Sequence, residues 1–277
     1  MNENRKTIKC ALRAGILPVL VALLCAMAYI LNAFFGNPIS SYLAERSAKA
    51  YIEENYGHLN LQTDWFGYNF KTADYYMVVS SPSSKDIHFS IYMRPSGEVR
   101  YDTYDSVTSG WNTWDRLESE YRARTNALFD APDFEIRNDI AFGTIEVDEE
   151  ADYDFSPVSY GVKLEELVID GEYDLDELAA RAGHIVFYMQ DEDVSFETAA
   201  RGMLRLKEIL DQEGIPFFAM DFVLRLPREE GQPGSGGPTI NVRNFPCSEI
   251  YGDGMAQRVQ AAHEALEAYY AEQDKLR

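Results

Sequence analysis

Cysteine is scarce and poorly placed for cross-linking: Cys10, Cys25 and Cys247 are the only three in 277 residues. One precedes a long apolar run, one lies inside it and one follows far downstream. No two can share the compartment beyond that run, so no intrachain disulfide staples the remainder, and its stability must come from hydrophobic cores. Histidine is also sparse, with only His58, His88, His184 and His263. His263-Glu264 opens like the H-E-x-x-H helix of zinc proteases, but Glu267 stands where the second imidazole is needed, which reads as a solvated helix face. His88 falls on the polar side of an alternating segment and reads as a surface residue. Basic residues number 25 against 46 acidic ones. Nucleic-acid binding draws its affinity from Lys and Arg on phosphates, so that class of partner is excluded.

Other chemistries are missing too. There is no G-x-S-x-G elbow and no evident Ser-His-Asp set. Gly231 to Gly237 is glycine-rich but leads into a strand, lacks lysine and follows Glu229-Glu230, so it reads as a hairpin tip rather than a phosphate cradle. Asp191-Glu192-Asp193 with Ser195 is as oxygen-rich as a calcium loop, yet Phe196 occupies the position of the required glycine and Gly202 that of the bidentate glutamate. Those acids instead suit the positive end of the helix that follows. Asp148 to Asp154 reads as a solvated acidic loop. No cofactor or metal is expected.

What is present is an apolar run from Ala14 to Phe35, long enough at about 1.5 Å per residue to cross a bilayer's hydrocarbon core. Arg5, Lys6, Lys9 and Arg13 precede it, which places residues 1–13 in the cytoplasm and the rest outside. A peptidase could cut after Ala28, but apolar residues continue well past that point, favouring an uncleaved anchor. Leu24 before Cys25 argues against a lipoprotein signal. Beyond residue 36 lie 21 basic and 45 acidic residues, a formal charge of −24. Such acidity keeps a domain soluble and disfavours anionic lipid.

The pattern predicts an α+β protein: a transmembrane helix followed by two small α+β domains, residues 38–131 and 132–272, then a tail at 273–277. In the first, a helix over 39–56 precedes four strands. Phe66, Tyr68 and Phe70 alternate, as do Ile87, Phe89, Ile91 and Met93. Pro95-Ser96-Gly97 turns the chain back into Val99, Tyr101 and Thr103. A helix over 110–129, with Trp114, Leu117, Tyr121 and Leu128 on one face, is expected to close this helix–antiparallel sheet–helix unit. Ala131-Pro132 marks the boundary. The second domain reads as an α/β plait. Strands are expected within 134–147, 162–169 and 185–189, with a helix opened by Asp174 and Glu177. A strongly amphipathic helix over 196–211 is capped by Ser195 and ended by Gly214. A hairpin of 217–226 with 239–245 and a last helix over 255–271 complete it.

Ala48, Tyr51, Tyr56, Tyr68-Asn69-Phe70-Lys71, Tyr75, Ser80-Ser81-Pro82, Asp86, Phe89, Gly97-Glu98-Val99, Asp102 and Tyr104 together resemble the N-terminal domain of the YfjL-like family of membrane-anchored proteins. Asp193, Ser195, Glu197 and Gly214-Ile215-Pro216-Phe217 resemble its C-terminal domain. The first unit is also similar in layout to cystatin-like and PepSY-type domains, which implies a binding or inhibitory module. The resemblance implies no catalytic residues.

The candidate site is the aromatic sheet of the first domain, where Tyr68, Tyr92, Tyr101 and Tyr104 are expected to form a partner-binding row. Cross-strand aromatic pairs and core packing explain most of that aromatic content. The expected function is a non-catalytic, membrane-anchored extracytoplasmic binding or regulatory module. It would meet the lipid bilayer through residues 14–35 and engage an envelope protein, peptide or polysaccharide. An envelope hydrolase using carboxylates with a loosely bound divalent cation, and a structural spacer, are the alternatives.

Overall fold

The computed structural model describes residues 2–148, 160–227 and 237–276. Helix α1 (Asn2–Phe35) is long and apolar enough to cross a membrane, and its described side chains, from Pro18 to Phe35, are largely exposed. The chain then divides between Thr108 and Ser109 into two units.

In the first unit, α2 (Pro38–Tyr56) starts at a strong stop-and-start signal. Gly36 adopts φ +68°, where a Cβ would lie 2.1 Å from the Tyr75 hydroxyl. Asn37 then caps the helix by accepting from the amides of Ile39 and Ser40, and Pro38 occupies the first turn, where no amide is needed. Strands β1 (Gln62–Asn69), β2 (Asp74–Ser80), β3 (His88–Met93) and β4 (Val99–Asp102) form an antiparallel meander in sequence order. Tyr75, Met77, Val79, Phe89, Ile91 and Met93 alternate onto one face, where the small Ala44 and Ala48 of α2 let the helix lie close. A short helix, α3 (Asp105–Thr108), ends the unit.

The second unit begins with α4 (Trp111–Phe129). This corrects the expectation that the helix closes the first domain and that the boundary lies at 131–132. Three hydrogen bonds of 2.8 Å bind α4 to the second unit: Trp114 Nε1 donates to Ile145 O, Gly143 N to Thr125 Oγ1, and Tyr121 Oη to Pro216 O. Strand β5 (Asn138–Ile145), α5 (Leu175–Ala182) and β6 (Gly183–Gln190) follow, then α6 (Phe196–Gln212), β7 (Ala219–Arg225), β8 (Thr239–Pro246) and α7 (Met255–Leu276). The sheet runs β5-β6-β7-β8, with β6 and β7 parallel and the outer pairs antiparallel. A parallel pair needs a long crossover, and the amphipathic α6 supplies it. The mixed sheet is as expected, but its strands lie in sequence order rather than interleaved as a plait requires. Leu117, Tyr121, Ile185, Phe187, Met203, Leu206, Phe222, Leu224, Val242 and Val259 share one core.

The expected caps hold: Asp174 accepts from Asp176 N and Glu177 N, and Ser195 from Thr198 N. Residues 162–169 do not form a strand. Val162 makes one bridge with Val147, and Leu164–Glu166 is a 3₁₀ turn. His263 is not on a solvated face; half-buried, its Nδ1 lies 3.2 Å from Asn241 N and 3.1 Å from Asn241 O. Most of the acidic loop (149–154) and of the glycine-rich tip (231–236) falls outside the described residues.

Candidate binding surface

The four strands of the first unit place aromatic residues on both faces of the sheet, and register decides which ring goes where. Tyr76 pairs directly with Tyr92, and Tyr92 with Tyr101. On β1 the position opposite Tyr76 is Gly67. The vacant space there is filled by Trp65, whose indole would meet a Gly67 Cβ at 1.8 Å. An aromatic side chain thus covers the gap left by glycine in an edge strand. The result is a ladder across all four strands, Trp65–Tyr76–Tyr92–Tyr101. Successive ring centroids are 4.4, 5.9 and 4.6 Å apart, and no two neighbouring planes differ by more than 32°. Such pairs each contribute about 0.5–1.5 kcal/mol beyond area burial.

The ladder lies on the face away from α2. Its ends are open, with Trp65 46% and Tyr101 51% exposed. Among the described residues, the hydroxyls of Tyr76, Tyr92 and Tyr101 have no protein partner, so each remains a donor and acceptor for something outside. Two of the charged residues nearby are paired with opposite charges. Arg100 Nη1 lies 2.5 Å from Asp74 Oδ2, and Arg94 Nη1 lies 2.9 Å from Glu98 Oε2. The outcome is an electrically quiet aromatic ridge on an acidic protein.

Two of the four expected residues, Tyr92 and Tyr101, stand in this ladder, whereas Tyr68 and Tyr104 do not. Tyr68 packs against Tyr75 at 5.0 Å, and Tyr104 against Tyr56 at 4.7 Å and Phe89 at 5.2 Å, all on the core side. Tyr68 shares the parity of Phe66, so the β1 pleat turns it towards α2. Trp65 and Tyr76 take their places. Beside Tyr104, Asp102 Oδ2 accepts from Tyr51 Oη at 2.7 Å and Tyr56 Oη at 2.8 Å. That shared carboxylate raises the Tyr51 hydroxyl's pKa, and burial together with the same bond raises that of Tyr56.

The second unit holds a polar cluster that no sequence motif announces. His184 on β6 lies with Nε2 3.3 Å from Asp221 Oδ1 on β7, and its Nδ1 is bonded to the Tyr160 hydroxyl. Tyr160 also donates to Asn244 Oδ1 at 2.8 Å, and Asn244 N donates to Asp221 Oδ1 at 2.8 Å. Register slips between Met220 and Phe222, so Asp221 sits at a bulge opposite Asn244, whose φ is +48°. At 4% exposure His184 offers no face to a substrate. The cluster locks three strands together. Close by, burial raises the Glu146 carboxyl, with Asp221 and Glu118 adding to the effect against His184. Its folded form therefore favours the proton. That contribution is complete below the unfolded value of about 4.3 and is lost as pH rises through the folded one. Glu146→Gln is expected to stabilise the protein by about 0.5–2 kcal/mol at pH 7, with no gain below about pH 4. Urea unfolding at both pH values reads the difference.

Asp193 accepts from the hydroxyls of Ser195 and Thr198, which lower its pKa and fix the start of α6. The Cys247 thiol is half-buried, and burial pushes its pKa up, away from the reactive thiolate.

The model of the YfjL-like N-terminal domain matches residues 12–103, and that of the YfjL-like C-terminal domain matches residues 120–260. No curated protein and no solved structure matches the chain significantly. The N-terminal match ends before the division at Thr108/Ser109 and the C-terminal one begins within α4, in step with the two units. With its second domain model alone covering half its length, the chain belongs to the YfjL-like family.

Proposed function

We propose that this protein is a single-pass, extracytoplasmic binding module of the cell envelope, non-catalytic, whose ligand lies along the Trp65–Tyr76–Tyr92–Tyr101 ladder. The anchor is α1, with Arg5, Lys6, Lys9 and Arg13 holding its N-terminus in the cytoplasm. Phe35, Ile39 and Phe70 are exposed where the span gives way to the first unit, as suits residues at a lipid boundary. A helix laid on a four-stranded meander agrees with a cystatin- or PepSY-like layout.

The observation that carries the reading is the uncovered ladder with three unpartnered hydroxyls. Its ligand is a neutral envelope polysaccharide. Sugar C–H patches pack on aromatic rings, and sugar hydroxyls exchange hydrogen bonds with phenols. An acidic domain repels polyanions, which favours a neutral ligand.

The test uses the full chain in detergent micelles with neutral and anionic envelope glycans, together with photo-crosslinking from position 92 in intact cells. Trp65→Ala and Tyr101→Ala should each weaken glycan retention at least tenfold while the melting transition persists. Retention unchanged in both variants, or crosslinks only to a second copy of the chain, would overturn the proposal.

A further inference from the structure

A cleft of about 440 Å³ opens at the carboxyl ends of β6 and β7, between the chain preceding β5 and the flank of α6. Carboxyl ends of parallel strands are where open α/β sheets receive ligands, and this volume lies in the range of small-molecule sites. Gln190, the last residue of β6, is only 7% exposed and lines the cleft. Its backbone N–H is bonded to Arg137 O at 2.9 Å, but its side-chain amide has no hydrogen-bond partner among the described residues. Among the described side chains only Arg225 Nε is fully buried without a partner, so the Gln190 amide reaches the cleft and is open to a ligand's hydrogen bonds.

The charges around the amide narrow the ligand's chemistry. Arg205 is already engaged by Glu135 and Glu208. Arg137 has no ion-pair partner among the described residues, and Arg201 makes one hydrogen bond, to Thr198 Oγ1 at 2.8 Å. On the same rim Asp191 spends one oxygen on Asp193 N, and Glu192 makes no ion pair among the described residues. Two guanidinium groups and two carboxylates therefore line the cleft beside an amide with no protein partner, with Ile136 and Met189 as apolar wall.

We propose that this cleft binds a small zwitterion, an amino acid or short peptide. Its carboxylate is taken by Arg137 and Arg201, its ammonium by Asp191 and Glu192, and its amide or carboxyl edge by Gln190. A guanidinium pair suits a carboxylate because two parallel N–H groups meet two oxygens. The site is separate from the ladder and stands whether or not the ladder binds a glycan.

The experiment is titration of the full chain in micelles with L-alanyl-L-alanine, followed by calorimetry and thermal shift. Propionate and ethylammonium serve as the two single-charge halves. Saturable dipeptide binding is expected, with each half at least tenfold weaker. Arg137→Gln alters an exposed side chain and should weaken the dipeptide at least tenfold without moving the unliganded melting temperature; Gln190→Leu should do the same to binding. Absence of saturable dipeptide binding, or binding unaffected by Arg137→Gln, would sink the site. Propionate binding as tightly as the dipeptide would overturn the zwitterion assignment.

Discussion

Asp221→Ala is expected to lower the stability of the second unit by about 3 kcal/mol or more at pH 7. The carboxylate faces His184 Nε2, accepts from Asn244 N, and lies 3.7 Å from Arg243 Nε. Its loss removes the carboxylate that faces a buried imidazole and accepts from the Asn244 amide, each such loss costing about 1–3 kcal/mol. The effect depends on pH in a defined direction. Burial by itself raises the Asp221 pKa, but the bond and charge of His184, the Asn244 amide and Arg243 hold it below the ordinary carboxylate range. A carboxyl lowered on folding contributes stability that is fully present above the unfolded value of about 3.9 and lost as pH falls through the folded one. Urea unfolding of wild type and variant should therefore diverge at pH 7 and converge towards pH 2. Trp111 and Trp114 report on the second unit and Trp65 on the first. A loss under 1 kcal/mol at pH 7 would show that the cluster does not hold the strands.

Asp102→Ala is expected to destabilise the first unit by about 3 kcal/mol. One carboxylate oxygen serves two tyrosine hydroxyls from α2, while the other accepts from Tyr104 N at 2.9 Å. Hydrogen bonds to a charged group contribute about 1.5–3 kcal/mol each, so losing the pair outweighs any ladder substitution on the open face. Tyr51 and Tyr56 have raised pKa values, so their contribution is complete below the unfolded value of about 10. It is lost as pH rises through the folded values above that. Ultraviolet titration of phenolate should show two tyrosines ionising late in the wild type. In Asp102→Asn, which keeps the shape and removes the charge, they should ionise earlier. Identical titration curves would mean that Asp102 does not govern them.

The aromatic surface was half legible. Alternation of Phe89, Ile91 and Met93 already assigns Tyr92 to the opposite face, and the parity of Phe66 and Tyr68 separates Tyr68 from Trp65. What alternation misses is the bulge. Register slips between Thr63 and Trp65 and again between Tyr92 and Met93, and each extra residue reverses the inside–outside count beyond it. Tyr104 lies past β4, where pleat parity no longer applies. Gln190 carried no signal in the sequence, because its solitude depends on which groups fail to reach it.

Local pattern fixed most elements and their order, the strand expected over 162–169 excepted. Periodicity, the caps at Ser195 and Asp174, and the long apolar stretch are local, and neighbouring residues impose them whatever the rest of the chain does. Allegiance of each element came from long-range packing. The apolar stripe of α4 requires a sheet but does not specify which, and Trp114, Tyr121 and Thr125 settle that by bonding to Ile145, Pro216 and Gly143. The joining of Tyr160, His184, Asp221 and Asn244 was equally beyond a linear reading, since strand pairing brings together groups that chain distance leaves unrelated.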